Sequence, residues 1–370
     1  MKKYIQKNKP NYLFAITVFV LIFFGIIMIS SSSVVASLDN TGKNYSYVLQ
    51  QVVSLLVGLV AMYITYRIDY RFWKKYSIWM IILTLILLIL VFVPGIGRSA
   101  GGAHRWISLG FTWFQPSEFI KLAFIIYLSA WLDSIGDDVK NFWKGFVPFT
   151  VMILIIGALI MAQPDLGTMS VILFSAVAIF FVAGAELTHM VIGAGSLIAA
   201  FIVLIKTSAY RQQRLLVFLN PSVDTQGAAY HINQALLAVG AGGLWGLGFG
   251  QSKQKYLYLP EAHTDSIFAI IAEELGFIRS GLVIFGFLFL GYLGLKIAKN
   301  APDRFSRFLA TGITAWIVVQ AFINIGAMIN VLPLTGVPLP FISCGGSSLI
   351  ILLAAVGLML NISRQTGEAR

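Results

Sequence analysis

Long runs of apolar residues, separated by short polar segments, occupy the chain almost from end to end. Each run is close to the ~20 residues that an α-helix needs to cross a hydrocarbon core of ~30 Å. The pattern predicts an all-α integral membrane protein in which residues 1–370 form a single polytopic domain. We expect about ten spans, over residues 12–35, 49–65, 77–94, 116–132, 146–163, 168–184, 188–206, 266–295, 308–330 and 341–362.

Composition supports this prediction, since 58% of the residues are hydrophobic and only 11% are charged, against about a quarter in soluble domains. The first apolar run follows a basic segment, but it exceeds the ~7 to 15 residues of a signal-peptide core, which indicates a retained span. The single cysteine, Cys344, excludes an internal disulfide framework and a cysteine-based metal site.

The distribution of positive charge predicts the orientation. With an even number of spans both termini lie on one side, and that side's segments carry sixteen of the 26 Lys and Arg residues, against eight on the other side. The positive-inside rule places both termini in the cytoplasm. The basic residues form no single stripe, so the net charge of +11 does not indicate a nucleic-acid partner.

A long extracytoplasmic loop, residues 207–264, is expected between the seventh and eighth spans. It contains the apolar, glycine-rich stretch "YHINQALLAVGAGGLWGLGFG", which is typical of half-helices buried against protein. The chain shows no internal sequence repeat, so a transporter built from inverted repeats gains no support.

The loop runs into "YLPEAHTDSIFAIIAEELG", which holds four of the chain's 15 acidic residues. Asp265, just before the apolar run, suits a helix cap and a general base equally well. Glu261 and His263 lie in the approaching loop, where they would position or tune Asp265. Glu273 lies roughly 12 Å further along the helix and is assigned to cavity lining or helix packing, whereas Glu274 faces nearly opposite and is assigned a structural role.

Two further places combine charge with membrane depth. Glu118 and Lys121, three residues apart in "QPSEFIK", share a helix face, and an internal ion pair and a role in a polar cavity are equally compatible with that spacing. Asp165 in "QPDLGT" is more typical of a turn and a helix cap than of a site. The broken segment "PLTGVPLPFISCGGSSLI" lacks the histidine and aspartate of a serine hydrolase, and its Ser347 is assigned to the cavity.

Four ordered motifs, "QPSEFIK", "QPDLGT", "YLPEAHTD" with "FAIIAEELG", and "PLTGVPLPFIS", resemble the SEDS family (shape, elongation, division and sporulation) over nearly the whole chain. The stretches "VPGIGR", "GGAHRWI" and "LNISR" are more similar to its division branch than to its elongation branch, and the sporulation branch remains an alternative. The resemblance implies a peptidoglycan glycosyltransferase of the bacterial cytoplasmic membrane, at the division septum, that polymerises lipid II into glycan strands.

The family's functional residues fall on named positions of this chain. Asp265 corresponds to the residue regarded as catalytic, and its expected role is to deprotonate the acceptor sugar 4-hydroxyl, which attacks the donor's anomeric carbon as undecaprenyl pyrophosphate leaves. Glu118 and Lys121 correspond to a pair in a central cavity, and Asp165 corresponds to the acid of the family's "QPDLGT" motif and is assigned to the cavity with them. The anionic leaving group needs cations. We favour Arg105 and Lys255 among the outside candidates, which are Arg98, Arg105, Arg211, Arg214, Lys253 and Lys255.

The resemblance also implies partners: a class B penicillin-binding protein transpeptidase, other division proteins and inner-membrane lipids. A divalent cation, Mg²⁺ or Mn²⁺, would assist by bridging phosphates, but no ligand cluster is readable and the cofactor is left open. Two alternatives remain, a flippase that moves lipid II, motivated by charges inside spans, and a scaffold.

Three positions depart from the family's usual residues. Tyrosine is common where this chain has Cys344, phenylalanine where it has Ser266, and glycine near Arg279. The first two raise the question of how the substrate is positioned. Arg279 is expected either in a local buried pair or at the inner end of a shorter helix.

Overall fold

The computed structural model describes residues 9–100, 103–108, 113–206, 209–220, 227 and 229–365. Helices dominate, which confirms the predicted fold class. Within the described residues the α-helices are α1 (Tyr12–Ser32), α2 (Val34–Thr41), α3 (Ser46–Arg67), α4 (Tyr70–Lys75), α5 (Ser77–Leu90), α6 (Pro116–Ile135), α7 (Val147–Ala162), α8 (Leu166–Val182), α9 (Leu187–Lys206), α10 (Ala209–Leu219), α11 (Tyr230–Ala241), α12 (Ile267–Lys299), α13 (Arg304–Met328) and α14 (Gly346–Gln365).

Each predicted span coincides with one of these helices to within a few residues at most ends. Among the described residues, seven helices are long and apolar enough to cross a membrane, namely α1, α3, α6, α7 with the π-turn Phe142–Phe146, α12, α13 and α14. α5 and α8 are shorter apolar helices. The chain is therefore a multi-pass membrane protein, and the count of ten spans stays a prediction.

α13 and α14 are the most buried of the candidate spans, and α3 is the most exposed. α13 packs against α6, α8 and α12, while α14 packs along α3. Helices α1, α13 and α14 bring Ser32, Met328 and Gly346 to the same end of the bundle, which we call the site end because it also carries Asp265.

A small antiparallel sheet covers part of the site end, in a region where the sequence analysis predicted no strands. Its strands are β1 (Gly97–Ala100), β2 (Ala103–Ser108) and β3 (Trp113–Phe114), in the order β1-β2-β3. Trp106 and Trp113 lie with their ring centroids 6.3 Å apart. The strands are too short for a recognisable alternating pattern, so hydropathy gave no signal for them.

α12 is broken at Gly276, where φ is +78° and ψ is 177°. The sequence analysis predicted one continuous span over residues 266–295, and the break is therefore a correction. The glycine-rich loop after α11 fills the gap, because it supplies the hydrogen bonds that the break removes from the helix. The bonds run from the N–H groups of Leu247, Gly248, Phe277 and Ile278 to the carbonyl groups of Glu273, Glu274, Gly243 and Leu244, at 3.0, 3.0, 2.9 and 3.2 Å.

The long loop contains two short helices, α10 and α11, as the sequence analysis predicted in part. α11 has 12 residues, about 18 Å of helix, and is too short to cross a bilayer. Where these helices lie relative to the membrane stays a prediction. Residues 207–208, 221–226 and 228 of this loop lie outside the described residues.

Arg279 is placed differently from both expectations. Its side chain is exposed, and its Nη1 donates to the carbonyl oxygen of Trp245 at 3.3 Å. It therefore belongs neither to a buried pair nor to the inner end of a helix. It lies just beyond the break in α12, where the glycine-rich loop approaches.

Polar side chains join the helices at the end of the bundle opposite the site. Tyr70 donates its hydroxyl hydrogen to the carboxylate of Asp303, which also forms a capping box with Ser306 at the start of α13. Burial, reinforced by Asp303, raises the pKa of the Tyr70 hydroxyl. An ion pair joins Lys74 to Asp133, the latter on α6.

Candidate active site

Asp265 lies at the point where the long loop enters α12. The helix begins at Ile267 with Ser266 in the N-cap position, so Asp265 precedes the cap that the sequence analysis considered for it. Asp265 is half-buried, whereas the residues that follow it, from Ser266 to Glu274, are buried. The aspartate therefore marks the border between a packed helix and the accessible face of the site end.

Three consecutive carbonyl groups hold the backbone at Asp265. The carbonyl oxygens of His263, Thr264 and Asp265 accept hydrogen bonds at 2.9, 2.6 and 2.7 Å. The donors come from the loop before α14 and from α13. They are the Cys344 backbone N–H, the Ser343 hydroxyl and the Asn324 side-chain amide. Because successive residues are tied to two other elements, the segment has little freedom to shift.

The side chain of Asp265 approaches the backbone of Gly336, in the segment between α13 and α14. Gly336 has φ of +71°, a conformation that favours glycine, and a Cβ added there would lie 3.2 Å from Asp265 Oδ2. Asn324 Nδ2 also donates to the next carbonyl, that of Val337, at 2.7 Å. One amide thus joins the Asp265 backbone to the segment that faces its carboxylate.

Glu261 and His263 belong to the same turn but differ in exposure. Glu261 is exposed, has φ of +51°, and accepts a hydrogen bond from the Thr264 hydroxyl at 2.6 Å. His263 is buried with its ring centroid 4.3 Å from that of Tyr47. Burial lowers the pKa of His263, against a smaller opposing effect of Glu261. A neutral imidazole therefore packs below the turn that carries Asp265.

Ser266 is buried and joins α11 to the site. Its hydroxyl donates to the Pro260 carbonyl at 2.9 Å and lies 2.6 Å from His231 Nε2. His231 was not singled out from the sequence, because a lone histidine in an apolar stretch carries no local signal. A phenylalanine, common at position 266 in the family, offers no hydroxyl for either bond.

Glu118 and Lys121 form a buried pair on α6, with 2.8 Å between Lys121 Nζ and Glu118 Oε1. The same ammonium donates to Gln320 Oε1 at 2.8 Å and lies 5.2 Å from the Trp316 ring centroid. Gln320 donates in turn to the Pro338 carbonyl at 2.9 Å. Of the two roles predicted for this pair, the internal ion pair is present. Through Gln320 it is connected to the segment between α13 and α14 that approaches Asp265.

Asp165 caps α8. Its carboxylate accepts from the Thr168 backbone N–H at 3.0 Å and from the Thr168 hydroxyl at 2.9 Å, as predicted for a turn. Gly167 lies against the same segment that meets Asp265, since a Cβ there would come within 2.1 Å of Val337 Cγ2. Asp165 therefore caps α8 beside the segment that meets Asp265, and its place in the cavity stays a prediction.

Arg105, on β2, donates to the carbonyl groups of Gln163 and Pro164 at 3.1 and 2.6 Å. These bonds attach the sheet to the turn between α7 and α8, which contains Asp165. Ser347 lies within 3.3 Å of the Gln115 N–H and 3.4 Å of the Trp113 carbonyl. It joins α14 to the entry of α6. The side chains of Arg98, Arg211 and Arg214 lie outside the described residues.

Lys255, one of the two cations that the sequence analysis favoured for the leaving group, is buried. Its Nζ lies 3.1 Å from Glu274 Oε1, 3.1 Å from the Ser31 hydroxyl and 2.6 Å from the Gly250 carbonyl. The sequence did not reveal the partners of Glu274, because they come from α1 and the loop. The charge of Lys255 is already matched within the protein.

Glu273 supports the same loop from the adjacent position. Its carboxylate accepts from the Ser252 hydroxyl and from the Lys253 N–H, the latter at 3.0 Å. Both glutamates thus hold the loop against α12, and Glu273 serves packing in this way. Among the described residues, no group of three or more His, Cys, Asp or Glu side chains gathers in a way that could hold a metal ion.

The fold and site describe a polytopic membrane protein with one half-buried aspartate held by three elements at one end. A family of cell cycle proteins, FtsW/RodA/SpoVE, matches residues 11–368, and the chain belongs to this family. This confirms the resemblance drawn from the four motifs.

Relatives and a solved structure agree with that assignment. Stage V sporulation protein E of Bacillus subtilis is 40% identical over 97% of this chain and 98% of its own. A probable peptidoglycan glycosyltransferase FtsW of Trichlorobacter lovleyi is 42% identical over 92% of this chain and 89% of its own. A chain in a peptidoglycan synthase complex that coordinates polymerization and crosslinking has a TM-score of 0.82 and 26% identity, covering 97% and 99%.

Proposed function

We propose that this protein is a peptidoglycan glycosyltransferase that polymerises lipid II into glycan strands at the outer leaflet. The observation that carries the proposal is Asp265, a half-buried carboxylate on a backbone fixed by Asn324, Ser343 and Cys344. Family membership and the names of the relatives support the reaction class.

Asp265 acts as the general base. Its carboxylate takes the proton from the 4-hydroxyl of the acceptor sugar, the oxygen attacks the anomeric carbon of the donor, and the bond to undecaprenyl pyrophosphate breaks. A fixed backbone favours this role because general-base catalysis requires the carboxylate within hydrogen-bond reach of the hydroxyl. Gly336 leaves room beside the carboxylate, since it has no side chain.

Cations stabilise the departing pyrophosphate in this proposal. Lys255 is unsuited to the task, because Glu274 and Ser31 already engage its ammonium in a buried place. We assign the task to Arg105 on β2 and to the basic residues of the long loop other than Lys255, which are Arg211, Arg214 and Lys253. A divalent cation bound between the phosphates would supply further charge neutralisation.

The setting of the reaction is part of the same proposal. We infer a site open to the outer leaflet of the bacterial cytoplasmic membrane, with both termini in the cytoplasm and activity at the division septum. The partner is a class B penicillin-binding protein transpeptidase, which crosslinks the new strand, and similarity to a chain of a synthase complex supports this pairing. Sporulation and division relatives match at similar identity, so the choice between these settings rests on the division-like motifs.

A flippase has less support. It was motivated by charges at membrane depth, but Glu118 pairs with Lys121 and Glu274 pairs with Lys255. Buried charges that are already paired with each other favour a packed interior, not a polar pathway along which a lipid II headgroup could cross the membrane. Flipping without polymerisation is nevertheless a distinct outcome of the experiment that follows.

The test is polymerisation of fluorescent lipid II by the purified protein together with its transpeptidase. We expect glycan polymer from the unmutated protein and a rate at least about 100-fold lower for Asp265→Ala, the usual contribution of a general base. Asp39→Ala is the matched control, because Asp39 is an exposed aspartate on α2, near the site end. Unmutated rates for Asp265→Ala would exclude it as the base, and translocation in vesicles without polymer would favour the flippase.

A further inference from the structure

Asn324 lies on α13, one turn before the helix ends at Met328, and its side chain is only 2% exposed. Its Nδ2 donates to two carbonyl oxygens, those of Asp265 and Val337, at 2.7 Å each. These acceptors belong to different segments, one entering α12 and the other lying between α13 and α14. Both N–H bonds of a single amide are therefore used to hold two segments in register.

This register determines what faces the carboxylate of Asp265. Val337 follows Gly336, and a Cβ at Gly336 would lie 3.2 Å from Asp265 Oδ2. If the two segments separated, the aspartate and the glycine would move relative to each other. The amide of Asn324 is placed between them and is well suited to set that distance.

The two hydrogen bonds of Asn324 stabilise the fold, but the other polar atom of the same side chain does not. Its Oδ1 is buried and has no hydrogen-bond partner within the described part of the chain. Burying an unsatisfied polar oxygen costs about 1–3 kcal/mol, and an apolar side chain would avoid that cost only by leaving the carbonyl groups of Asp265 and Val337 without this donor. A buried polar group kept despite such a cost calls for a functional explanation.

We propose that Asn324 is a positioning residue for glycosyl transfer, which fixes the Asp265 carboxylate against Gly336 and thereby against the acceptor hydroxyl. This inference rests on the proposed function. Asn324 acts through Asp265 and need not touch the substrate. A displacement of about 1 Å at the reacting atoms is enough to lower a rate by ~10²-fold.

The test compares Asn324→Leu with Asn361→Leu in the lipid II polymerisation assay, using full-length protein with its transpeptidase. Asn361 on α14 is a close match: it is 0% exposed, and its Nδ2 donates to the carbonyl groups of Tyr66 and Ile68 at 2.6 and 3.0 Å. It lies at the end of the bundle opposite Asp265. Both variants are expected to lower the melting temperature.

Only Asn324→Leu is expected to lower kcat, by about 10- to 100-fold per folded molecule, with KM for lipid II within about twofold. A merely structural role predicts equal, small effects of the two variants on kcat. If the leucine variant does not fold, Asn324→Ser and Asn361→Ser give the same comparison with a smaller perturbation. They leave a shorter side chain that cannot bridge both carbonyl groups.

Three results would overturn the inference. The positioning role is excluded if the Asn324 variants have the same kcat as the unmutated protein, or if the Asn361 variants lose as much kcat as the Asn324 variants. Either result leaves the proposed function intact. Absence of polymer from the unmutated protein and its partner removes the proposed function and the inference together. The unmutated reaction therefore distinguishes the two failures.

Discussion

At the scale of single residues, the carboxylate of Asp265 lies close to the backbone of Gly336 in the candidate site. The glycine is in a left-handed conformation, and the carboxylate oxygen is close to where its first side-chain atom would lie. Two separate constraints, the backbone and the available space, therefore act on residue 336. They can be separated by experiment, because Gly42 has nearly the same φ without a neighbour.

We predict that Gly336→Ala lowers both stability and kcat. A non-glycine residue at φ near +70° costs about 1–2 kcal/mol, and the new methyl group also presses on Asp265. Gly42→Ala, at φ +70° with no atom within 4 Å of its added Cβ, should lose stability alone. Melting curves and polymerisation rates measured on both variants check this, and equal rates for the two would show that the carboxylate tolerates the methyl group.

At the scale of elements, the break in α12 separates a buried half, which leads from Asp265, from a second half with an exposed apolar face. Gly276 meets the backbone of Gly246 so closely that a Cβ would lie 2.2 Å from its nitrogen. The backbones of the glycine-rich loop and of α12 are thus in close contact at Gly246 and Gly276. Glu274, two residues before Gly276, also binds Lys255 and so holds the turn that carries this lysine.

Gly276→Ala is expected to destabilise the protein by more than about 3 kcal/mol, or to prevent folding, because the methyl group overlaps backbone atoms that cannot move aside. Gly281→Ala, in the second half of the same helix, meets no atom within 4 Å and should be neutral or stabilising by up to about 1 kcal/mol. Thermal melting in detergent measures both. A tolerated Gly276→Ala would mean that the loop does not fit the break closely.

The sequence predicts the helices of this fold well and their interruptions poorly. Hydrophobic runs locate each span, because burial in lipid or protein requires them. The break at Gly276 lies inside such a run, and its hydrogen-bond partners lie about 30 residues away in the chain. Asp265 was found through its motif, whereas Asn324 and Gln320 were missed because single amides in apolar helices carry no local pattern. The burial of Lys255 was not predicted either, because its contact with Ser31 joins the loop to α1.

At the scale of the whole molecule, two polar layers close the ends of an apolar bundle. At one end Tyr70, Asp303 and Asn361 join α4, α13 and α14. At the other end Lys255 and Glu274 join the long loop, α1 and α12. α13 connects the layers, since its first turn is capped by Asp303 and its last turns carry Asn324.

We predict that Lys255→Met costs about 3–5 kcal/mol, because it leaves Glu274 charged and buried without its partner. The double variant Lys255→Met with Glu274→Gln should recover most of that stability and near-unmutated polymerisation. A double-mutant cycle in melting experiments gives the coupling between the two residues. A stable double variant that cannot polymerise lipid II would return Lys255 to the role of a substrate cation.

Because α12 is broken at Gly276, we expect the depth of Asp265 in the membrane not to follow changes in the thickness of the membrane. Residues 277–299 alone provide roughly 34 Å of helix at ~1.5 Å per residue, enough to cross a hydrocarbon core of ~30 Å. Hydrophobic mismatch, when lipids become longer or shorter, therefore acts on the tilt of this second half. Asp265 takes its depth from Asn324 and Ser343, which are protein contacts. We therefore expect the segment around Asp265 to be insulated from changes in lipid chain length that a continuous helix would transmit to it.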